Sequence, residues 1–221
     1  MIPGSFAIIS GGSGKSVNFV ASNSSSSRLS SYTFTNVPLG YYDPTRIIVL
    51  SVHYFQRDTT VNLNSASVGG ASTTSQISTN RLVYGASGSY VYCNLRTAAP
   101  TGATGTVSLS FSASSYYGCA IGVWALYNVG SATPVATNVA NTSGLFTFSA
   151  QPDDLIVAAA TSVYYGTNTT WTNATENFDV INSSLMLSSA AQKQAIVAGN
   201  PAISFTMNSD STPVGVAAVW R

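Results

Sequence analysis

Apolar residues along this chain recur at every second position, the period of a strand buried on one face, far more than at helical spacing. The clearest stretch is Thr106–Tyr127 (TVSLSFSASSYYGCAIGVWALY), two alternating runs joined by a polar turn, which predicts a β-hairpin. Ala202–Trp220 (AISFTMNSDSTPVGVAAVW) echoes it. Leu109-Ser-Phe111 is answered by Ile203-Ser-Phe205, and Val123-Trp124 by Val219-Trp220. Leu109, Phe111, Ile121 and Val123 share one strand face, the predicted core. Trp124 points the other way, to where two units or two subunits are expected to meet.

Further strand signals, bounded by Gly, Pro, Asn and Ser turns, run from Phe6–Ser10 to Val214–Trp220, with Leu82–Tyr84 and Leu185–Ser189 among the shorter ones. One stretch, Ser188–Val197, is rich in Ala, Gln and Lys without alternation and predicts a helical turn or a long loop. More echoes link the halves. Tyr32-Thr-Phe34-Thr35 with Pro38 parallels Phe146-Thr-Phe148-Ser149 with Pro152. Arg46-Ile-Ile-Val49 parallels Asp154-Leu-Ile-Val157, and Val20-Ala-Ser-Asn23 parallels Val135-Ala-Thr-Asn138. The pattern predicts an all-β protein of two tandem, internally repeated antiparallel sandwiches, jelly-roll or immunoglobulin-like, over residues 1–127 and 128–221. The joining segment Asn128–Thr133 is too short for a flexible linker, so the units are expected to pack together or to form one large pseudo-symmetric sandwich.

Composition narrows the partners. Charged residues make up only 7% of the 221, so uncharged Ser, Thr and Asn solvate the surface, and 45% hydrophobic content argues for a packed core. A net charge of +1 with scattered basic residues gives no field for phosphates, so nucleic acid is not expected as a partner. The start lacks a basic region before its short apolar run, and Leu155–Ala160 is too short to cross a bilayer. A chain made in a cytoplasm, without signal peptide or membrane insertion, is the expectation. Cys93 and Cys119 each share a face with apolar residues, which predicts two buried thiols, with a single disulfide as the alternative.

Candidate chemistry is sparse. Gly11–Ser16 ends in Gly-Lys-Ser, but Ile9 stands where a phosphate-binding loop needs glycine, and a strand follows where that loop needs a helix. His53 is the only histidine, so no multi-histidine metal site exists within one chain, and no turn singles out a serine beside it. Glu176 and Asp179 are the carboxylates closest to an acid–base pair, yet regular strand spacing puts them on opposite faces. No cofactor, metal or catalytic residue is therefore expected. The doubled aromatics are more telling. Tyr41-Tyr42, Tyr54-Phe55, Tyr116-Tyr117 and Tyr164-Tyr165 lie at strand ends or turns, where at least one ring of each pair leaves the core face. Tyr41, Tyr42, Tyr54, Tyr116, Tyr117, Tyr164 and Tyr165 are thus the candidate contacts to a protein partner or a glycan.

Several segments look familiar together: Arg46-Ile-Ile-Val-Leu50, Ala66-Ser-Val-Gly-Gly70, and Pro100-Thr-Gly-Ala-Thr-Gly-Thr-Val107 leading through Phe111 into Cys119-Ala-Ile-Gly-Val-Trp124. Asp153-Asp-Leu-Ile-Val157, Thr170-Trp-Thr-Asn-Ala-Thr-Glu176 and Val216-Ala-Ala-Val-Trp220 extend them over most of Thr45–Arg221. In this the chain resembles β-rich virion structural proteins of tailed bacteriophages, whether capsid-decorating or tail- and fibre-associated. The resemblance implies a non-enzymatic particle component, present in many copies on the capsid or tail exterior and held by copies of itself and other virion proteins. A receptor- or carbohydrate-binding module that engages a host surface glycan through the tyrosine pairs is the alternative.

Overall fold

The structure, a computed structural model, describes residues 14–57, 60–83, 88–141, 144–163, 168–195, 197–199, 201–208 and 213–221. The expected strand Phe6–Ser10 and the pair Tyr164-Tyr165 lie outside the described residues. Among those described there is no helix, and none is therefore long and apolar enough to cross a membrane.

The N-terminal strands are β1 (Ser16–Ser25), β2 (Ser31–Pro38), β3 (Ile47–Gln56), β4 (Leu63–Val68), β5 (Ala71–Ser72), β6 (Thr74–Leu82), β7 (Tyr90–Ala98), β8 (Thr104–Phe111) and β9 (Cys119–Tyr127). They form an inner sheet ordered β1-β9-β3-β7-β6 and an outer sheet ordered β2-β8-β4-β5. β10 (Ala136–Asn141), β11 (Leu145–Thr147), β12 (Leu155–Val163), β13 (Thr169–Thr172), β14 (Thr175–Asn182), β15 (Met186–Gln194), β16 (Ala202–Met207) and β17 (Val214–Trp220) form the C-terminal pair of sheets. Their inner sheet is ordered β10-β17-β12-β15-β14 and their outer sheet β11-β16-β13. All pairings are antiparallel. β1 pairs β9, β2 pairs β8, β3 pairs β7 and β4 pairs β5. This nesting of first with last is a long hairpin rolled across two sheets, the jelly-roll arrangement rather than the immunoglobulin one. β6 is an added edge strand on β7, and the C-terminal sandwich follows the same order without a counterpart of β5.

The two sandwiches meet through their inner sheets, giving four layers. β1 lies over β14 and β15, β6 over β10 and β17, and β3 faces β12. This seam holds Trp124, Leu126, Val157, Val216 and Trp220, all buried, and separate cores fill each sandwich. Trp124 thus points to where the units meet. Strands β3, β9, β12 and β17 are buried along their whole length because both of their faces are covered. Gly122 of β9 sits in the seam where a Cβ would collide with the rings of Phe178 and Trp124, so only glycine lets the sheets approach there.

Three sequence echoes share a register. Tyr32 faces Leu109 as Phe146 faces Ile203, and Ala21 faces Val123 as Ala136 faces Val219. The fourth is displaced: Ile47 faces Leu126, whereas Leu155 faces Trp220, two residues away from the Trp124–Trp220 equivalence. A shift by two preserves the face of every side chain, so the seam tolerates it.

Two strands differ from the expectation. Ser188–Val197 is no helical turn, since Ser188–Gln194 belong to β15. Ala and Ser fill it because β15 is covered on both faces, and tertiary pairing overrides the helical preference of alanine. β6 replaces the short strand expected at Leu82–Tyr84. Its run TSQISTNR is largely polar because only its Ile77 side packs into the seam.

Candidate functional site

Among the described residues, the exposed aromatic surface gathers where residues 39–46 cross from the outer to the inner sheet. Tyr41 is 57% and Tyr42 53% exposed. Both are held from below. The Tyr41 ring stacks on Tyr127, centroids 4.1 Å apart and planes within 4°, while the Tyr127 hydroxyl donates to the Tyr41 carbonyl at 3.1 Å. Burial, then the neighbouring Tyr41, raises the Tyr127 hydroxyl to about 12, so it keeps its proton and its donor role. Tyr42 lies over the Arg46 guanidinium at 5.8 Å.

Arg46, 2% exposed, organises this end. Its Nη1 donates to the carbonyls of Gly40 and Tyr41, and its Nη2 to those of Pro100 (2.6 Å) and Gly102 (2.8 Å). One side chain thus clamps two connections that would otherwise leave carbonyls unpaired. Beside it the Asp43 carboxylate accepts from the Thr45 amide and hydroxyl, which hold it below the usual carboxylate range. Asn128 joins this network through Thr45 and donates to the Gly14 carbonyl. The arrangement is a fixed platform of two tyrosine faces with a carboxylate and an amide alongside. It offers ring faces for stacking and little freedom to lose on binding.

The other predicted tyrosines are placed differently. Tyr54 is corrected to a core residue. It is 2% exposed, stacks on Tyr92 at 4.4 Å, and has a hydroxyl raised above its ordinary range by burial. It points inward because Phe55, its neighbour, faces the seam. Tyr117 is likewise corrected: it is 8% exposed and stacks on Phe55. The tight turn that tucks it in needs Gly118 at φ +86°, with the Ser25 carbonyl where a Cβ would stand. Tyr116 is half-buried under the guanidinium groups of Arg28 and Arg57. Tyr41 and Tyr42 therefore stand apart from Tyr116, and the structure does not bring all the pairs together.

His53 is wholly buried where the two inner sheets meet. Its Nδ1 meets Thr161 Oγ1 of β12 at 2.7 Å and its Nε2 meets Ser51 Oγ at 2.9 Å. Ser51 Oγ also accepts from the Gly122 amide, tying β3 to β9 beside the ring. Burial pushes the imidazole down to about 3, and it stays neutral at ordinary pH. Cys93 lies 3.9 Å from Nδ1, its thiol raised by burial to about 12. Cys119 is on the other face of the same sheet, in the N-terminal core, so the two thiols are free.

Glu176 and Asp179 require another correction. A bulge between Glu176 and Phe178 inserts one residue, so Glu176 faces Ala191 and Asp179 faces Ser189, on the same side of the sheet. Burial, then the Asp179 charge, raises the Glu176 carboxyl, while Asp179 is engaged by the Thr169 amide at 2.7 Å. Nothing in the local sequence marks that bulge. Among the described residues no group of three or more His, Cys, Asp or Glu could hold a metal ion. A shallow hollow of about 360 Å³ on the N-terminal outer sheet is lined by Ser31, Thr33, Ser65, Ser67, Ser108 and Ser110, hydroxyls without a charge among them.

Sequence reasoning missed Arg46 and Tyr127 as parts of this end. The signal available was the apolar run directly after Arg46, which places a charged side chain at the mouth of a buried strand. Compared with protein-family models, curated proteins and solved structures, the chain matches none.

Proposed function

We propose that this protein is a non-enzymatic structural component of a bacteriophage particle, on the capsid or tail exterior, acting through protein–protein contacts. The observation that carries the reading is the rigid tyrosine platform, Tyr41 on Tyr127 and Tyr42 on Arg46, at the end of a four-layer block. Exposed aromatics locked before binding cost little entropy to immobilise and suit a permanent contact. The segments that carry the resemblance to phage proteins lie in β3, β4, β8, β9, β12, β13, β14 and β17 and in the connection clamped by Arg46. Jelly-roll sandwiches serve virus particles and lectins alike, so the fold supports this reading by analogy alone. On it, the two sandwiches are copies of one unit spanning 1–127 and 128–221, and the protein is made in the host cytoplasm and resides in the virion.

A second reading is binding of a host-surface glycan, favoured by the open ring face of Tyr41 beside Asp43 and Asn128. Binding of the purified protein to particles that lack it separates the two. The structural reading expects saturable attachment, weakened at least about tenfold by the double change Tyr41→Ala, Tyr42→Ala. Absence from purified particles by mass mapping would overturn it. Glycan-array binding lost in the same variant, without particle attachment, would favour the second.

A further inference from the structure

We propose that Glu176, Asp179 and the Thr169 hydroxyl form a calcium site at the open edge of the C-terminal sandwich. The ion ties β14, the edge of the inner sheet, to β13, the edge of the outer one. The inference goes beyond the assembly reading and does not depend on it. The bulge in β14 sets Glu176 opposite Ala191 and Asp179 opposite Ser189, so two exposed carboxylates share one face. Thr169 of β13 lies against them, because its amide donates to Asp179 Oδ2 at 2.7 Å. Thr169 is only 5% exposed, and its Oγ1 is buried without a hydrogen-bond partner among the described residues.

That hydroxyl is aimed at the carboxylates. Thr169 and Trp171 both turn inward along β13, and Trp171 Nε1 donates to the hydroxyl of Ser189, the residue opposite Asp179. A buried hydroxyl is rarely left without a partner, so this one marks a place for a ligand. Negative charge is left over as well. Among the described residues no salt bridge neutralises Glu176 or Asp179, and Lys193 on the neighbouring β15 gives its ammonium to the Asn173 carbonyl. Burial, then the Asp179 charge, raises the Glu176 carboxyl, and a bound cation relieves the repulsion between the two acids. All the donors are hard oxygens, which excludes metals that seek thiolate or imidazole. Calcium coordinates flexibly and fills the rest of its shell with water, whereas magnesium demands a near-octahedral set. A count of acids, thiols and imidazoles passes over this site, because its third ligand is a hydroxyl.

The test is calorimetric titration of calcium chloride into the full chain at constant ionic strength, beside magnesium chloride. One ion per chain is expected with a Kd of about 0.1–1 mM, and magnesium should bind at least about tenfold more weakly. Calcium at about 10 mM should raise Tm by about 4 °C and slow exchange of the Thr169 amide. Asp179→Asn and Glu176→Gln are each expected to weaken binding at least about tenfold. Thr169→Val keeps the shape and removes only the hydroxyl, and binding about threefold weaker is expected from it. Should Asp179→Asn fail to fold, Glu176→Gln carries the same test. No calcium binding up to about 10 mM overturns the proposal. So does magnesium bound as tightly, or an affinity unchanged in Thr169→Val, since either leaves only diffuse attraction to surface carboxylates.

Discussion

At the same turn of the two sandwiches, directly before the central inner strand, one uses a buried cation and the other a buried anion. Arg46 precedes β3, and Asp154, with no exposed surface, precedes β12; each amide bonds the carbonyl three residues back. Arg46 is held by four carbonyls from two connections, with the Asp43 carboxylate beside it and no salt bridge among the described residues. Asp154 instead accepts from the Gln151 amide and from the Arg221 fork, 2.8 Å away at Nη2. Burial pushes its carboxyl up, and the Arg221 and Gln151 bonds more than offset this, leaving it below the usual range. What the fold demands at this turn is that the loose ends be tied. The sign of the charge is set by whichever partners the neighbouring loops supply.

The strongest way to break the comparison is Arg46→Met, which keeps bulk but leaves the Pro100 carbonyl without its donor. A loss of about 4 kcal/mol is expected from urea unfolding, with Tyr41 and Tyr42 loosened. A loss under about 1 kcal/mol would mean that the two connections hold without the clamp. Asp154→Ala removes the acceptor of one amide and one half-exposed guanidinium and should cost about 2 kcal/mol, checked in the same way.

Acid sharpens the contrast. Asp154 has a lowered folded pKa, so its stabilisation is present above the ordinary carboxylate range and lost as pH falls through it. Asp43 is lowered as well, first by its Thr45 bonds, but the four acceptors of Arg46 are carbonyls that do not titrate. His53 acts earlier. The unfolded imidazole takes up a proton below about 6.5 and the folded one only near 3, so each pH unit between removes about 1.4 kcal/mol. Between pH 6.5 and 5 the loss is about 2 kcal/mol, and His53→Gln should flatten that segment while leaving the fall below pH 4. A wild-type imidazole that titrates normally by NMR would refute the buried neutral state. The smallest effect is Tyr41→Ala, worth about 1 kcal/mol for its stacking on Tyr127. It should also shift the Tyr127 titration downwards, read by ultraviolet absorbance, because the neighbouring Tyr41 contributes to raising it.

Legibility in the sequence follows burial. Where one face is apolar, alternation reads the strand and its face, and Leu109, Phe111, Ile121 and Val123 lie in the N-terminal core as expected. Where an edge strand is polar, as in β6, or both faces are covered by small residues, as in β15, the period fades and the reading fails. The tyrosine pairs were legible as a class but not one by one. Tyr41 and Tyr42 are exposed, while Tyr54 and Tyr117 are packed against Tyr92 and Phe55.

By itself the sequence determined an all-β chain, the core face of its alternating strands, two thiols in apolar settings, and Trp124 turned away from its own sandwich. These are local properties, fixed by which side chains avoid water and by period two along the backbone. The tertiary structure alone decided which sheets meet, the pairing of His53 with Thr161, the bulge that brings Glu176 and Asp179 to one face, and the Arg46 clamp. Those features join residues far apart in sequence, and their partners are set by sheet order and loop closure, which no local pattern encodes.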